Sequence, residues 1–181
     1  MKAANKPATP PAPTWPLDIY KVFKQIGIRQ IAYVPDAGHT QLLKRCHADK
    51  NMRAVSLTTE EEGVAMLAGS WLGGDRGALL MQSSGVGNCI NMFGTIRECR
   101  FPLLTLVTMR GEWGEFNPWQ LPMGQSTPAA LENAGLVVQR VDDRAMVGET
   151  VFAAATMAFQ TNRAVAVLIG QRIVGFKDWS K

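Results

Sequence analysis

The sequence predicts an α/β fold: three layers, α/β/α, built on a six-stranded, mostly parallel sheet. Three observations predict it. Six short apolar runs alternate with stretches of helical periodicity. Two of those runs, 103–107 and 165–169, are apolar on both faces, as a sheet covered by helices on each side requires. Turn-forming residues such as Gly27, Pro35 and Gly73-Gly74-Asp75 separate the segments, and no internal repeat breaks the alternation.

The first helix falls at 15–25, where Leu17, Tyr20, Val22 and Phe23 recur at helical spacing and Gly27 ends the pattern. A strand at 30–34 closes at Pro35, and a helix follows at 39–48. The strand 53–57 leads to a helix at 60–72, rich in Ala, Met and Leu and stopped by the turn Gly73-Gly74-Asp75. The strongly apolar strand 78–82 precedes a helix at 87–99, and strand 103–108 precedes a long loop at 109–127. Loops of that length in compact domains are functional or disordered. Trp113, Phe116 and Trp119 within it predict order against another part of the fold. A short helix at 128–133, a strand at 136–141 and a helix at 144–160, capped by Asp142 or Asp143, lead to the last strand, 164–169, and a polar tail.

In open parallel sheets, ligands bind beyond the carboxyl ends of the strands. Segments 35–39, 58–63 and 82–88 therefore carry the candidate chemistry, with loop 109–127 at the same end. Glu60, Glu61 and Glu62 open a helix, where acidic residues complement the dipole. Thr58 or Thr59 with Glu61 or Glu62 would make a capping box, which accounts for Glu61 and Glu62 without a ligand. One of the three carboxylates sits at the strand end and points into the crevice. A carboxyl buried among apolar groups holds its proton tightly and can share it with a heterocycle.

The glycines of 82–88 permit close backbone approach to a flat ligand and a tight strand-to-helix turn. No Lys-Ser/Thr pair follows to make a phosphate loop, and the single G-x-G at Gly85-Val86-Gly87 falls short of a dinucleotide fingerprint. A plain helix-start turn explains the segment as well as a ligand does. Ser83 and Ser84 lack the flanks of a nucleophile elbow. With only His39 and His47 in the chain, a Ser-His-Asp triad has few bases to draw on.

Composition narrows the classes. The 181 residues, 46% apolar and 19% charged, suit one globular domain. The net charge of +4 lies partly in Lys2 and Lys6, and no basic stripe with interleaved aromatics supports nucleic-acid binding. A modest positive excess fits an anionic ligand. No run approaches membrane-spanning length, and residues 1–14 lack a hydrophobic signal core, so a cytoplasmic protein with a disordered Pro/Ala-rich tail at 1–14 is expected. Cys46, Cys89 and Cys99 have no disulfide or zinc spacing and read as reduced, buried thiols.

Three stretches together carry a resemblance: Thr59-Glu60-Glu61-Glu62-Gly63-Val64-Ala65, then Ala68-Gly69, then Leu80-Met81-Gln82-Ser83-Ser84-Gly85-Val86-Gly87-Asn88. In order and spacing they resemble the pyrimidine-binding (PYR) domain of thiamine-diphosphate enzymes. Within that superfamily they are similar to the sulfopyruvate and phosphonopyruvate decarboxylases, as are Arg110-Gly111-Glu112-Trp113-Gly114-Glu115 and Pro122-Met123-Gly124-Gln125. The resemblance implies a PYR domain over 15–170 and a C-terminal tail at 171–181. It further implies a catalytic Glu at the end of the second strand. That Glu hydrogen-bonds a pyrimidine nitrogen and so activates the thiazolium carbon for attack on a 2-oxo acid.

The family's catalytic Glu lies nine positions before the Gly of its A-G-Y-like element and twenty-five before the Gly of its S-G-x-G loop. Counting back from Gly69 and from Gly85 gives Glu60 both times, with Glu61 as the fallback. By the same matching, Gly85, Val86, Gly87 and Asn88 line the aminopyrimidine or the substrate mouth. His39 falls in the family's first active-site loop and reads either as a substrate contact or as a surface His at a helix start. Arg110 reads either as the anchor of a sulfonate or phosphonate or as a loop salt bridge. Ser70 and Trp71 stand where many relatives have Tyr and a small residue.

The resemblance also implies what this sequence does not contain. The diphosphate and Mg²⁺ are held in the family by a diphosphate-binding (PP) domain with a G-D-G motif. No G-D-G occurs here, and Gly74-Asp75-Arg76-Gly77 reads as a surface turn. A PP-domain β subunit is therefore the expected partner, in an α2β2 or larger assembly, with no metal ligand on this chain. A carboligase subunit and a non-catalytic PYR-fold binding module are the alternatives.

Overall fold

The computed structural model describes residues 14–176. The expected tail at 1–14 falls almost wholly outside them, as do residues 177–181 of the expected tail at 171–181. Helix α1 (Trp15–Ile26) turns one face inward through Trp15, Ile19, Val22 and Phe23, and it ends where Gly27 takes a left-handed φ of 73°. Strand β1 (Ile28–Tyr33) and a 3₁₀ turn (Ala37–His39) lead to α2 (Thr40–Ala48). Then follow β2 (Arg53–Ser56), α3 (Glu60–Leu72), β3 (Arg76–Gln82), α4 (Ser83–Cys99) and β4 (Leu103–Thr108). A loop and a 3₁₀ turn (Pro118–Gln120) precede α5 (Leu121–Asn133), β5 (Val137–Val141), α6 (Val147–Thr161), β6 (Ala164–Ile169) and the single turn α7 (Gln171–Val174).

The six strands form one sheet in the order β2-β1-β3-β4-β6-β5, with every neighbouring pair parallel. The sheet is thus wholly parallel. Its two faces bury separate cores. Leu80, Leu104 and Leu106 face α1, α2 and α6 through Phe23, Leu42 and Ala154. Leu79, Met81, Leu103 and Val107 face α3, α4 and α5 through Leu67, Phe93 and Leu131. This two-sided burial is the reason β4 and β6 are apolar at successive positions. All strands point the same way, so their carboxyl ends gather at one edge. The strand order reverses between β1 and β3, the crevice where open sheets take ligands.

Four expectations are corrected. Helix α4 starts at Ser83, not at residue 87, so Gly85, Val86, Gly87 and Asn88 lie on helix, not in a loop. Tertiary bonds hold that first turn: the Ser83 hydroxyl accepts from the Arg110 N–H at 3.1 Å, and the Ser83 carbonyl lies 3.3 Å from Thr127 Oγ1.

Helix α5 takes up the second half of the expected loop and the short helix after it. Pro122 sits in its first turn, where a missing N–H costs nothing. Pro128 lies inside it, flanked by Ser126 and Thr127 hydroxyls that donate to the Pro122 and Met123 carbonyls at 2.7 and 2.6 Å. Arg76 and Gly77 begin β3 and are not a surface turn; only Gly74, at φ 85°, turns the chain. Residues 171–174 are helical, with Gln171 and Ile173 buried, and are not a polar tail. Asp143 is the residue that caps the segment before α6, accepting from the Ala145 N–H at 2.9 Å.

Candidate active site

The chain leaves β2 at Ser56 and enters α3 at Glu60, its first residue, after Thr59 in extended conformation. Of the three adjacent glutamates only Glu60 is buried, at 5% exposure; Glu61 and Glu62 face solvent. The capping box appears in altered form. Thr59 makes no side-chain cap, and the Glu62 carboxylate accepts instead from the Thr58 N–H at 2.9 Å. Glu62 is therefore accounted for structurally, and Glu60 is the carboxyl turned inward at the strand end.

Helix α4 meets Glu60 with Gly85 and Asn88, three residues apart and so on one helix face. Asn88 Nδ2 donates to Glu60 Oε2 at 2.8 Å. A β-carbon on Gly85 would overlap the Glu60 carboxyl, so the glycine makes room for it. Oε1 accepts no hydrogen bond from the described residues and is not sealed from solvent. The other two expected site residues stand apart from the carboxyl. The Val86 side chain is wholly buried in the core beneath α4, and Gly87 faces Met123 of α5. Neither presents a side chain to Glu60.

A polar cleft of about 230 Å³ opens at the same edge of the sheet, at the ends of β1, β3 and β4, with Asp36, Gln82, Arg110, Gln120 and Gln171 in its wall; Glu60 does not line it. Arg110 lines this cleft and is ion-paired in it: its guanidinium donates to Asp36 Oδ1 at 3.1 Å, with both side chains largely buried. Asp36 also accepts from the Gly38 N–H at 2.9 Å and from the Thr108 hydroxyl at 2.7 Å. Burial works against its ionisation, but the His39 ring, the Thr108 hydroxyl and Arg110 outweigh that and hold the carboxyl below its ordinary value.

His39 matches neither expected reading. It is neither at the surface nor open to a ligand, because its ring is fully buried. Nε2 lies 3.2 Å from both the Met81 and the Leu106 carbonyl oxygens, so it carries the proton and donates. Among the described residues Nδ1 has no hydrogen-bond partner. Burial lowers the His39 pKa despite the neighbouring Asp36, which keeps the ring neutral.

Asp36 and Gln171 are residues that sequence reasoning missed. Asp36 had a local signal, since Pro35-Asp36-Ala37-Gly38 is the pattern of an Asx turn. Gln171 had none. Its buried amide accepts from the Glu112 and Trp113 N–H groups at 2.8 and 2.9 Å and donates to Glu115 Oε2 at 3.0 Å. Arg140 grips Glu112 with two nitrogens, and Trp113 packs edge-on against Phe176 with centroids 4.9 Å apart. The loop after β4 is thus ordered against α7 and Phe176, as its aromatics predict. Gly124 lets α5 close over the same loop, its Cα lying where a side chain would strike the Arg110 carbonyl.

The thiols take no part. Burial, followed by the charges of Glu60 and Glu61, pushes Cys89 up to about 12, and burial with Asp49 does the same for Cys46. Cys99 is exposed, contrary to expectation. Among the described residues no helix is long and apolar enough to cross a membrane.

No family model matches the chain. The sulfopyruvate decarboxylase alpha subunit of Methanococcus maripaludis is 37% identical over 115 residues, 63% of this chain and 69% of that one. Its counterpart from Methanothermobacter thermautotrophicus is 32% identical over 152 residues, 83% of this chain and 92% of that one. The phosphonopyruvate decarboxylase of Streptomyces viridochromogenes is 33% identical over 131 residues, and there the chain spans only 33% of its relative's length. Among solved structures, a 2-oxoglutarate:ferredoxin oxidoreductase from Magnetococcus marinus shares the fold. Its TM-score is 0.71 at 13% identity, over 88% of this chain and 29% of that one. With nearly the full length of an alpha subunit matched, the chain belongs to the family of the sulfopyruvate decarboxylase alpha subunits.

Proposed function

We propose that the chain supplies the activating carboxylate, Glu60, of a thiamine-diphosphate-dependent decarboxylase. Its substrate is an anionic 2-oxo acid such as 3-sulfopyruvate or 3-phosphonopyruvate, and its product is an aldehyde. A second polypeptide with a G-D-G-bearing domain holds the diphosphate and Mg²⁺, in an α2β2 or larger assembly. When bound, thiamine diphosphate supplies the electron sink that lets carbon dioxide leave.

One observation carries this reading: a single buried carboxyl at the end of β2 with one oxygen held and the other open. Asn88 fixes Oε2, and Gly85 leaves the room in which the carboxyl sits. Oε1 is left free to exchange a hydrogen bond, and a proton, with a ring nitrogen brought by the ligand. The short backbone link from β2 into α3 anchors the carboxyl at a rigid strand end, as positioning catalysis needs. Membership of the alpha-subunit family supports the decarboxylase reading and the need for a second subunit.

The test is co-expression with a PP-domain subunit and a carbon dioxide release screen on sulfopyruvate, phosphonopyruvate and pyruvate. Glu60→Gln in the assembled complex loses nearly all turnover while the complex still forms. Wild-type rates from that variant would remove Glu60 from the chemistry, and a condensed hydroxyketone in place of an aldehyde would make the complex a carboligase.

A further inference from the structure

The amino end of the sheet carries a second cavity, of about 360 Å³, walled by the last turns of α4 and α6, by Ala134, Gly135 and Leu136 after α5, and by the first residues of β5 and β6. Strands of six residues separate it from the Glu60 end. At roughly 3.3 Å per residue that is a distance of about 20 Å. The cavity is therefore no part of the site described above.

Its chemistry is one-sided. Arg97, Arg100 and Arg163 line it, and no carboxylate does. All three side chains are exposed, and among the described residues none of them makes an ion pair or a side-chain hydrogen bond. Beneath them the wall is apolar, with Phe93, Ile96 and Leu136 buried and Phe101 half-buried.

The backbone adds an independent observation. Among the described residues only two non-glycines adopt positive φ, Arg100 at 55° and Asn162 at 51°, and both line this cavity. Asn162 ends α6, and asparagine is a common left-handed helix cap. Arg100 ends α4 in the same conformation, which a β-carbon opposes and glycine would relieve. Arg100 closes α4 as a left-handed cap, its own N–H and that of Phe101 reaching back to the Ile96 carbonyl, and a cap that glycine would fill at less cost here carries a guanidinium into the cavity wall beside Arg97 and Arg163.

Guanidinium groups only donate, and their fork matches the oxygens of phosphate, sulfonate and carboxylate. The cavity's volume falls within the range of small-molecule sites, about 300–1,000 Å³. We propose that this cavity binds a small organic anion, its phosphate or sulfonate group held by Arg97, Arg100 and Arg163 and its apolar body laid against Phe93 and Phe101.

The test uses the purified full-length chain and 1-naphthyl phosphate as probe, followed by calorimetry and by the amide resonances of Gly135 and Asn162. Saturable one-to-one binding is expected, with inorganic phosphate competing more weakly because it lacks the apolar body. Replacing Arg97, Arg100 and Arg163 together by Gln weakens binding by about tenfold or more, while Glu60→Gln leaves it unchanged. Arg100→Gly supplies a second readout: the melting temperature rises as the backbone relaxes, yet the probe binds less tightly. No saturable binding, or binding untouched by the triple variant, overturns the proposal. So does arginine-dependent binding of an acidic peptide with none of the naphthyl phosphate, which would make the surface a contact for a partner protein.

Discussion

The carboxyl of Glu60 occupies the space that any side chain at position 85 would need. A methyl group on Gly85 would overlap the carboxyl carbon and Oε1 and approach Cγ to 2.7 Å. Everything it would strike is the far end of one flexible side chain, so Gly85→Ala is absorbed by swinging the carboxyl away. Alanine also favours helix over glycine by about 1 kcal/mol, which offsets part of the strain. The variant is expected to melt close to the wild type while the reconstituted decarboxylase slows by about 100-fold, the cost of displacing a catalytic group by an ångström. Normal stability with normal turnover would show that nothing at the site depends on where this carboxyl sits.

Asn88 fixes the same carboxyl from the other side, donating to Oε2 at 2.8 Å. Asn88→Asp replaces the donor by a second carboxylate at hydrogen-bond distance. Two such groups cannot both ionise at their ordinary values, so the pair retains one proton to higher pH and titrates as a unit. The pH–rate profile of the complex should move to higher pH in this variant. Asn88→Ala should lower the rate without that displacement. Superimposable profiles for wild type and Asn88→Asp would mean that this hydrogen bond does not act on the reacting group.

His39 and Asp36 set two windows in the pH dependence of stability. Burial holds the His39 pKa below its ordinary value, so the unfolded chain takes up the proton more readily than the fold does. That contribution is complete above the unfolded value of about 6.5 and is lost as pH falls toward the folded value. Asp36 is also depressed, since the His39 ring, Thr108 and Arg110 outweigh the opposing effect of burial. With the ring neutral, Thr108 and Arg110 carry this effect near pH 7. Its contribution is complete above about 4 and is lost as pH falls through the folded value. Melting temperature should therefore hold steady above pH 7, fall from about 6.5 downward and fall again below about 4. His39→Gln keeps a donor for the two carbonyls but cannot titrate. It should flatten the first window and leave the second. An unchanged slope between pH 7 and 5 would assign that window to another group.

What the sequence made legible follows from how local each cause is. Strands buried on both faces must be apolar at successive positions, so β4 and β6 stand out without any knowledge of their neighbours. A strand end and a helix start within four residues marked the three glutamates, but the choice of Glu60 among them came from the spacing to Gly69 and Gly85 in the family pattern; the fold shows it as the one that is buried. The start of α4 was not legible, because Ser83-Ser84-Gly85-Val86-Gly87 reads as a turn until Arg110 and Thr127 bind Ser83 from 27 and 44 residues away. The same holds for the Arg110–Asp36 pair, 74 residues apart, and for Pro128, which reads as a helix boundary but lies inside α5. His39 was misread in both directions because its burial depends on the carbonyls of two other strands.

Gln171 is the hinge pin of the loop that follows β4. Its side-chain oxygen accepts from the Glu112 and Trp113 N–H groups, and its nitrogen donates to Glu115, all within a 1% exposed side chain. Gln171→Leu leaves both N–H groups without their acceptor. A buried unpaired donor costs about 1–3 kcal/mol, and the exposure of Glu112 and Trp113 lets water recover part of that, so a loss of about 2 kcal/mol is expected. Hydrogen exchange at the 112 and 113 amides should accelerate with it. Gln171→Glu separates the two roles of the amide. It keeps the acceptor but sets a second carboxylate against Glu115, so its deficit should be large at pH 7 and shrink as the pair takes up a proton at lower pH. If both variants protect these two amides as well as the wild type does, the loop is held by the Arg140–Glu112 pair and the Trp113–Phe176 contact instead.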